Sequence, residues 1–137
     1  MEELEKTYKI EEDGVVVRVR VYSDGFGGMN VNVYINHKIF LYYHLFYSYG
    51  EMVLGISKLE VRIDNPIKYT PDNVHNFLER YGNKKSDAEI IAYLIAVGYK
   101  LLWSIDTTER DKFLHEMSKS YEKLPDKIKA FMVFYEI

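Results

Sequence analysis

Residues 15–36 read "VVVRVRVYSDGFGGMNVNVYIN", and their period decides the fold. Val17, Val19 and Val21 fall on one side of an extended chain, with Arg18, Arg20 and Tyr22 on the other. Beyond a glycine-rich interruption, Val31, Val33 and Ile35 fall opposite Asn30, Asn32, Tyr34 and Asn36. Strict alternation of β-branched with polar residues marks half-buried antiparallel strands. The same alternation returns in "KLEVRI", where Leu59, Val61 and Ile63 oppose Lys58, Glu60 and Arg62. A shorter run, Thr7–Glu11, is expected to pair through a turn at Asp13 and Gly14. Residues 39–49, "IFLYYHLFYSY", carry no charge and take the remaining strand position in a five-stranded meander. Their two faces are almost equally aromatic. Either Phe40, Tyr42, His44 and Phe46 or Leu41, Tyr43, Leu45 and Tyr47 look outward, and the alternation alone leaves that choice open.

After residue 69 the period changes from two to that of a helix. Thr70 and Pro71 form a cap and first turn, Val74, Phe77, Leu78 and Tyr81 follow at helical spacing, and Gly82 ends the run. Ser86 and Glu89 have capping-box spacing at the head of "SDAEIIAYLIAVGYKLLWSI", which is apolar around much of its circumference and therefore expected at the centre of the domain. Asp106 caps a third helix that buries Phe113, Met117 and Tyr121. Leu124-Pro125 breaks it, and Ile128, Phe131, Met132 and Tyr135 set the register of a fourth. Strands first and helices second predict an α+β domain spanning residues 1–137, with a sheet part at 1–69 and about four helices at 70–137 on one face of an antiparallel sheet.

At 137 residues, 47% of them apolar and 28% charged, the chain has the composition of one globular domain. A domain of this size buries roughly two-thirds of the surface its unfolded chain exposes. Cysteine is absent, which excludes disulfides, thiolate catalysis and Cys-ligated zinc or iron–sulfur clusters. The acidic opening "MEELEKTYKIEEDG" is unlike a signal peptide, so an intracellular, cytoplasmic protein is expected. Glutamine is absent too, while Lys, Glu, Ile and Val abound; that usage points to a thermophilic archaeon or one of its viruses. Neither apolar segment reads as a membrane span. The longer one includes Asp87, Glu89 and Lys100 within about 20 residues, the length a bilayer requires, and residues 39–49 are too short and too rich in tyrosine.

No motif for a cofactor or a metal stands out. "SDGFGGMN" places Gly25, Phe26, Gly27 and Gly28 between two strands; it lacks phosphate-loop spacing and reads as a flexible hairpin loop, with a mobile loop that closes on a partner as the alternative. His75 with Glu79, and Asp111 with His115, are helical neighbours, and Glu122 lies on the side of the second pair. Each set supplies too few ligands for a closed metal site and reads as a solvated face. Glu60, Arg62 and Asp64 resemble a metal-dependent nuclease strand only loosely, since arginine replaces the expected lysine.

The polar face of the sheet is the strongest candidate site: Arg18, Arg20, Tyr22, Tyr34, Lys58 and Arg62, joined by Tyr42 and His44 of the aromatic strand. Aromatics among arginines suit single-stranded nucleic acid, and equally a protein partner. Net charge of −3 and a pI near 5.8 favour the second. The expectation is a non-enzymatic interaction protein that forms a homodimer through its sheet face, with nucleic-acid binding and a metal-dependent nuclease or other hydrolase as the alternatives.

Overall fold

The computed structural model describes residues 4–47, 51–64 and 70–135, and of residue 63 the backbone alone. The fold is the expected α+β arrangement: an antiparallel sheet followed by four helices. The strands are β1 (Glu5–Glu12), β2 (Val15–Ser23), β3 (Met29–Ile35), β4 (Lys38–Leu45), β5 (Glu51–Ile56) and β6 (Leu59–Asp64), and they lie in chain order across one sheet. Short connections impose this meander. Asp13 and Gly14 join β1 to β2, and Asn36 and His37 join β3 to β4, each pair with positive φ at both positions. Such turns match the twist of the strands they connect.

The sheet has six strands where the alternation suggested five. The additional strand, "EMVLGI", buries Met52, Leu54 and Ile56 but carries Gly55 on its other side, which blunts its period. Gly55 is there because the ring of Tyr42, its cross-strand neighbour, lies over it: a Cβ at Gly55 would come within 2.0 Å of the ring. The hairpin from β5 to β6 turns at Ser57 and Lys58, so Lys58 belongs to the turn and the alternating ladder starts at Leu59. The last two residues of the expected strand at 39–49 and the side chain of residue 63 lie outside the described residues.

The four helices are α1 (Pro71–Tyr81), α2 (Asp87–Leu101), α3 (Thr107–Tyr121) and α4 (Asp126–Met132). Thr70 and Ser86 cap α1 and α2 as expected, and the Asp106 side chain accepts from the N–H of Thr108 at the head of α3. The long apolar segment is not one helix to its end. It tightens into a 3-10 turn at Leu102–Ser104 and then extends at Ile105, which redirects the chain into α3. Tyr121, expected inside, remains 37% exposed. α2 is buried around nearly its whole circumference and packs against β1, β4 and α4. At its closest approach to the sheet, a Cβ at Gly98 would meet Leu41 at 2.7 Å and Tyr43 at 3.1 Å. One turn earlier the fully buried Tyr43 hydroxyl donates to the carbonyl of Leu94 at 2.7 Å.

Two variants test this junction by urea denaturation. Tyr43→Phe removes one buried hydrogen bond and is expected to lower the unfolding free energy by about 1 kcal/mol. Gly98→Val drives a branched side chain into Leu41 and Tyr43 and should cost about 1–3 kcal/mol or more.

Candidate functional site

Alternation sends Val17, Val19, Val33, Leu41, Tyr43 and Leu45 under the helices, and their neighbours in sequence form the outer face of the sheet. The open choice for β4 is thereby resolved: Tyr42 and His44 look outward. Three transverse rows follow from the strand register. One runs Glu5, Tyr22, Asn30, His44, Val53, Arg62; the next runs Thr7, Arg20, Asn32, Tyr42, Gly55, Glu60; the third runs Lys9, Arg18, Tyr34, Ile39. A register shift between Val33 and Tyr34 skips Phe40, which is buried.

Neighbouring side chains on this face hold one another. The Arg18 guanidinium lies 4.4 Å from the centre of the Tyr34 ring, and that of Arg20 lies 4.1 Å from Tyr22. Asn32 reaches both phenols, its amide nitrogen 3.4 Å from Tyr22 Oη and 3.5 Å from Tyr34 Oη. Arg20 also pairs with Glu5 at 2.8 Å, and Arg62 both pairs with Glu51 at 3.4 Å and lies 4.8 Å from the Phe46 ring. Tyr42 donates its phenolic proton to Glu60; burial first, and then that carboxylate, push the hydroxyl up to about 12. Seven of the eight expected residues, Arg18, Arg20, Tyr22, Tyr34, Tyr42, His44 and Arg62, therefore share one surface. Lys58 stands apart in its turn.

The charge on this surface is nearly balanced. By register it carries four cations (Lys9, Arg18, Arg20 and Arg62) and five carboxylates (Glu5, Glu11, Glu51, Glu60 and Asp64). Among the described residues Arg18 alone of these arginines has no carboxylate partner.

The glycine-rich loop is built, not slack. Asp24 accepts from the N–H of Phe26 at 2.7 Å and of Gly28 at 2.9 Å, and His44 reaches it from β4 at 2.7 Å. Burial alone would raise the Asp24 carboxyl, but His44 and the two backbone donors outweigh that and hold it below the usual carboxylate range. The ionised carboxylate can only accept, so His44 Nε2 carries the proton between them. Gly28 is buried against this carboxylate: a Cβ there would sit 2.2 Å from it and 2.8 Å from the carbonyl oxygen of Leu45. Gly25 and Gly27 take positive φ, and Phe26 at the tip is 87% exposed. Asp24 and Gly55 went unrecognised in the sequence, and Asn32 and Glu60 were placed on strands without these partners. Only Asp24 had a local signal, since an aspartate two residues before a loop N–H favours a side-chain turn.

The remaining candidates do not converge. His37 sits in the β3–β4 turn, His75 lies 3.4 Å from Glu79 on α1, and Asp111, His115 and Glu122 are exposed at α3. Among the described residues no three His, Asp or Glu side chains come together as a metal set, and no helix is long and apolar enough to cross a membrane. The chain matches no family, no curated protein and no solved structure with which it was compared.

Acid titration tests the loop clamp. A carboxyl whose folded value is depressed stabilises the fold above its unfolded value and loses that contribution as pH falls through the folded one. Asp24→Asn should therefore lower the melting temperature at neutral pH, with the difference from the parent shrinking progressively as pH falls below about 4 toward the depressed folded value. Gly28→Ala, which meets backbone as well as carboxylate, should be destabilised throughout that range.

Proposed function

We propose that this chain is a non-enzymatic interaction protein that pairs with a second copy of itself through the outer face of its sheet. The observation that carries this reading is the cluster of Tyr22 and Tyr34 braced by Arg18, Arg20 and Asn32, with Tyr42 held by Glu60 beside them, on a surface of nearly balanced charge. Tyrosine and arginine are the side chains enriched where proteins meet, because they present large contact area together with hydrogen bonds. A twofold interface lays one patch against itself, so it requires a surface that complements its own copy. Cations and carboxylates interspersed on one face meet that requirement, whereas a face of single sign repels itself.

Single-stranded nucleic acid is the second reading, favoured by Arg18, which lies over Tyr34 with no carboxylate partner among the described residues. Its weakness is the five carboxylates on the same face, since nucleic-acid sites show clustered positive charge. Absence of cysteine and glutamine supports an intracellular origin in a thermophilic archaeon or its virus.

Light scattering distinguishes the two. A dimer mass that persists at high salt, and falls to that of a monomer in Tyr34→Glu with an unchanged circular dichroism spectrum, supports self-association. A parent that is monomeric at micromolar concentration overturns it, and retention on single-stranded DNA that weakens steeply with salt would then favour the second reading. Calorimetry tests the origin: a thermophilic protein should melt well above the ~45–65 °C of mesophile domains.

A further inference from the structure

The helical layer contains a second surface, formed where α2 ends, the chain tightens into its 3-10 turn, and α3 and α4 close around it. A hollow of about 280 Å³ opens there, with Tyr99, Lys100, Trp103, Tyr121, Lys129 and Met132 in its walls. Trp103 is 52% exposed. An apolar cleft of this kind on a surface marks a place of contact, and the chemistry of the walls narrows the occupant. Among the described residues two lysines line the hollow and no carboxylate does. Among the described residues neither lysine forms an ion pair. Lys129 Nζ lies 3.4 Å from the carbonyl of Glu122 and 5.2 Å from the Tyr121 ring centre, and among the described residues it has no carboxylate partner at the wall.

Tyr99 is a third polar side chain of the wall. Its hydroxyl is buried without a hydrogen-bond partner among the described residues. Burial, and then Tyr121, push it up, so it remains a neutral donor. Leaving such a donor unsatisfied is costly. The hydroxyl itself is closed off from the open hollow, so Tyr99 contributes to the wall and not a hydrogen bond to an occupant.

We propose that this hollow binds a small amphipathic carboxylate. Its apolar body lies against Trp103, Tyr121 and Met132, and its carboxylate lies between Lys100 and Lys129. The volume is at the small end of ligand sites. A neighbouring hollow of about 370 Å³ shares Tyr99, Trp103 and Tyr121 and leaves room for a longer tail. That second hollow has Glu122 in its wall, which repels an anion and sets the direction: carboxylate toward Lys100 and Lys129, tail toward Leu114 and Met117. This site uses none of the residues of the sheet face.

Trp103 is the only tryptophan in the chain, so its emission reports on the hollow directly. Octanoate, titrated below its micellar range into the full chain, is expected to shift that emission saturably to shorter wavelength. Octan-1-ol, with the same tail and no charge, should bind about tenfold more weakly. The double variant Lys100→Met with Lys129→Met should abolish that preference while the thermal midpoint is kept. Tyr99→Phe should leave octanoate binding unchanged and the midpoint unchanged or raised, because it removes a buried hydroxyl that the ligand does not reach. The proposal is overturned by an emission that does not saturate with octanoate, or by equal response to the alcohol. An emission that follows protein concentration instead would overturn it too, and would make this face a contact between copies.

Discussion

The contact on which the structure depends is the seat of α2 on β4, where Gly98 passes over Leu41 and Tyr43 and the Tyr43 hydroxyl meets the Leu94 carbonyl. A helix apolar on nearly every side has to be enclosed, and this one reaches from β1 at the sheet's edge to β4 near its middle while α4 packs on it. Close approach requires the missing side chain at Gly98. A phenol in a dry core needs an acceptor, and the helix carbonyl supplies it. Because side chains alternate along a strand, seating Tyr43 and Leu41 inward commits Tyr42 and His44 outward. The identity of the outer face is thus decided by a contact made on the inner one.

That outer face is organised without any helix to cover it. Tyr42 lies over Gly55 and bonds to Glu60, His44 is tied to Asp24, and Arg62 spans Phe46 and Glu51. The outward rings of Tyr42 and His44, and that of Phe46 just past the strand, are therefore each partly covered by a neighbour. The result is a surface of tyrosine, guanidinium and carboxylate with little bare hydrocarbon. Such a surface is stable in water and still has binding capacity, since cation–π and charged pairs in the open are worth only about a kcal/mol and exchange readily for those of a partner. The apolar residues left bare lie at its margins: Phe26 and Tyr47 near the glycine loop, and Ile39 at the start of β4.

Alternation in β2, β3 and β6 was legible because each of those strands has one wet and one dry face, and the helix caps were legible because Thr70, Ser86 and Asp106 satisfy backbone donors locally. Three features were not. β5 was hidden because Gly55 answers to Tyr42 across the ladder, a long-range demand that leaves only an interruption in the strand's own period. β4 could not be oriented from sequence, since both its faces are aromatic and the deciding partner, Gly98, lies more than fifty residues away. The Asp24–His44 clamp joins residues twenty apart, whose proximity depends on the β3–β4 pairing. In each case a cross-strand or sheet–helix contact outweighed the local pattern.

Tyr121 and Trp103 are instructive in another way. Helical spacing assigned Tyr121 to the interior, and in a straight continuation of α2 Trp103 would have remained on a packed helix. The 3-10 turn at Leu102–Ser104 instead ends α2 early, and Ile105 extends to launch α3 at a new angle. Arg110 reinforces the bend, donating to the carbonyls of Trp103 and Ile105 while its guanidinium lies 4.9 Å from the indole. Where three helix ends meet around such a bend, apolar positions face a gap in place of a core. Ala96 leaves that gap open, and among the described residues the walls carry two lysines with no carboxylate partner. Sequences depart from local rules of packing and polar satisfaction chiefly at functional sites. Positive charge without a carboxylate partner among the described residues, set beside an apolar wall, is the arrangement that an anion with an apolar body would complete.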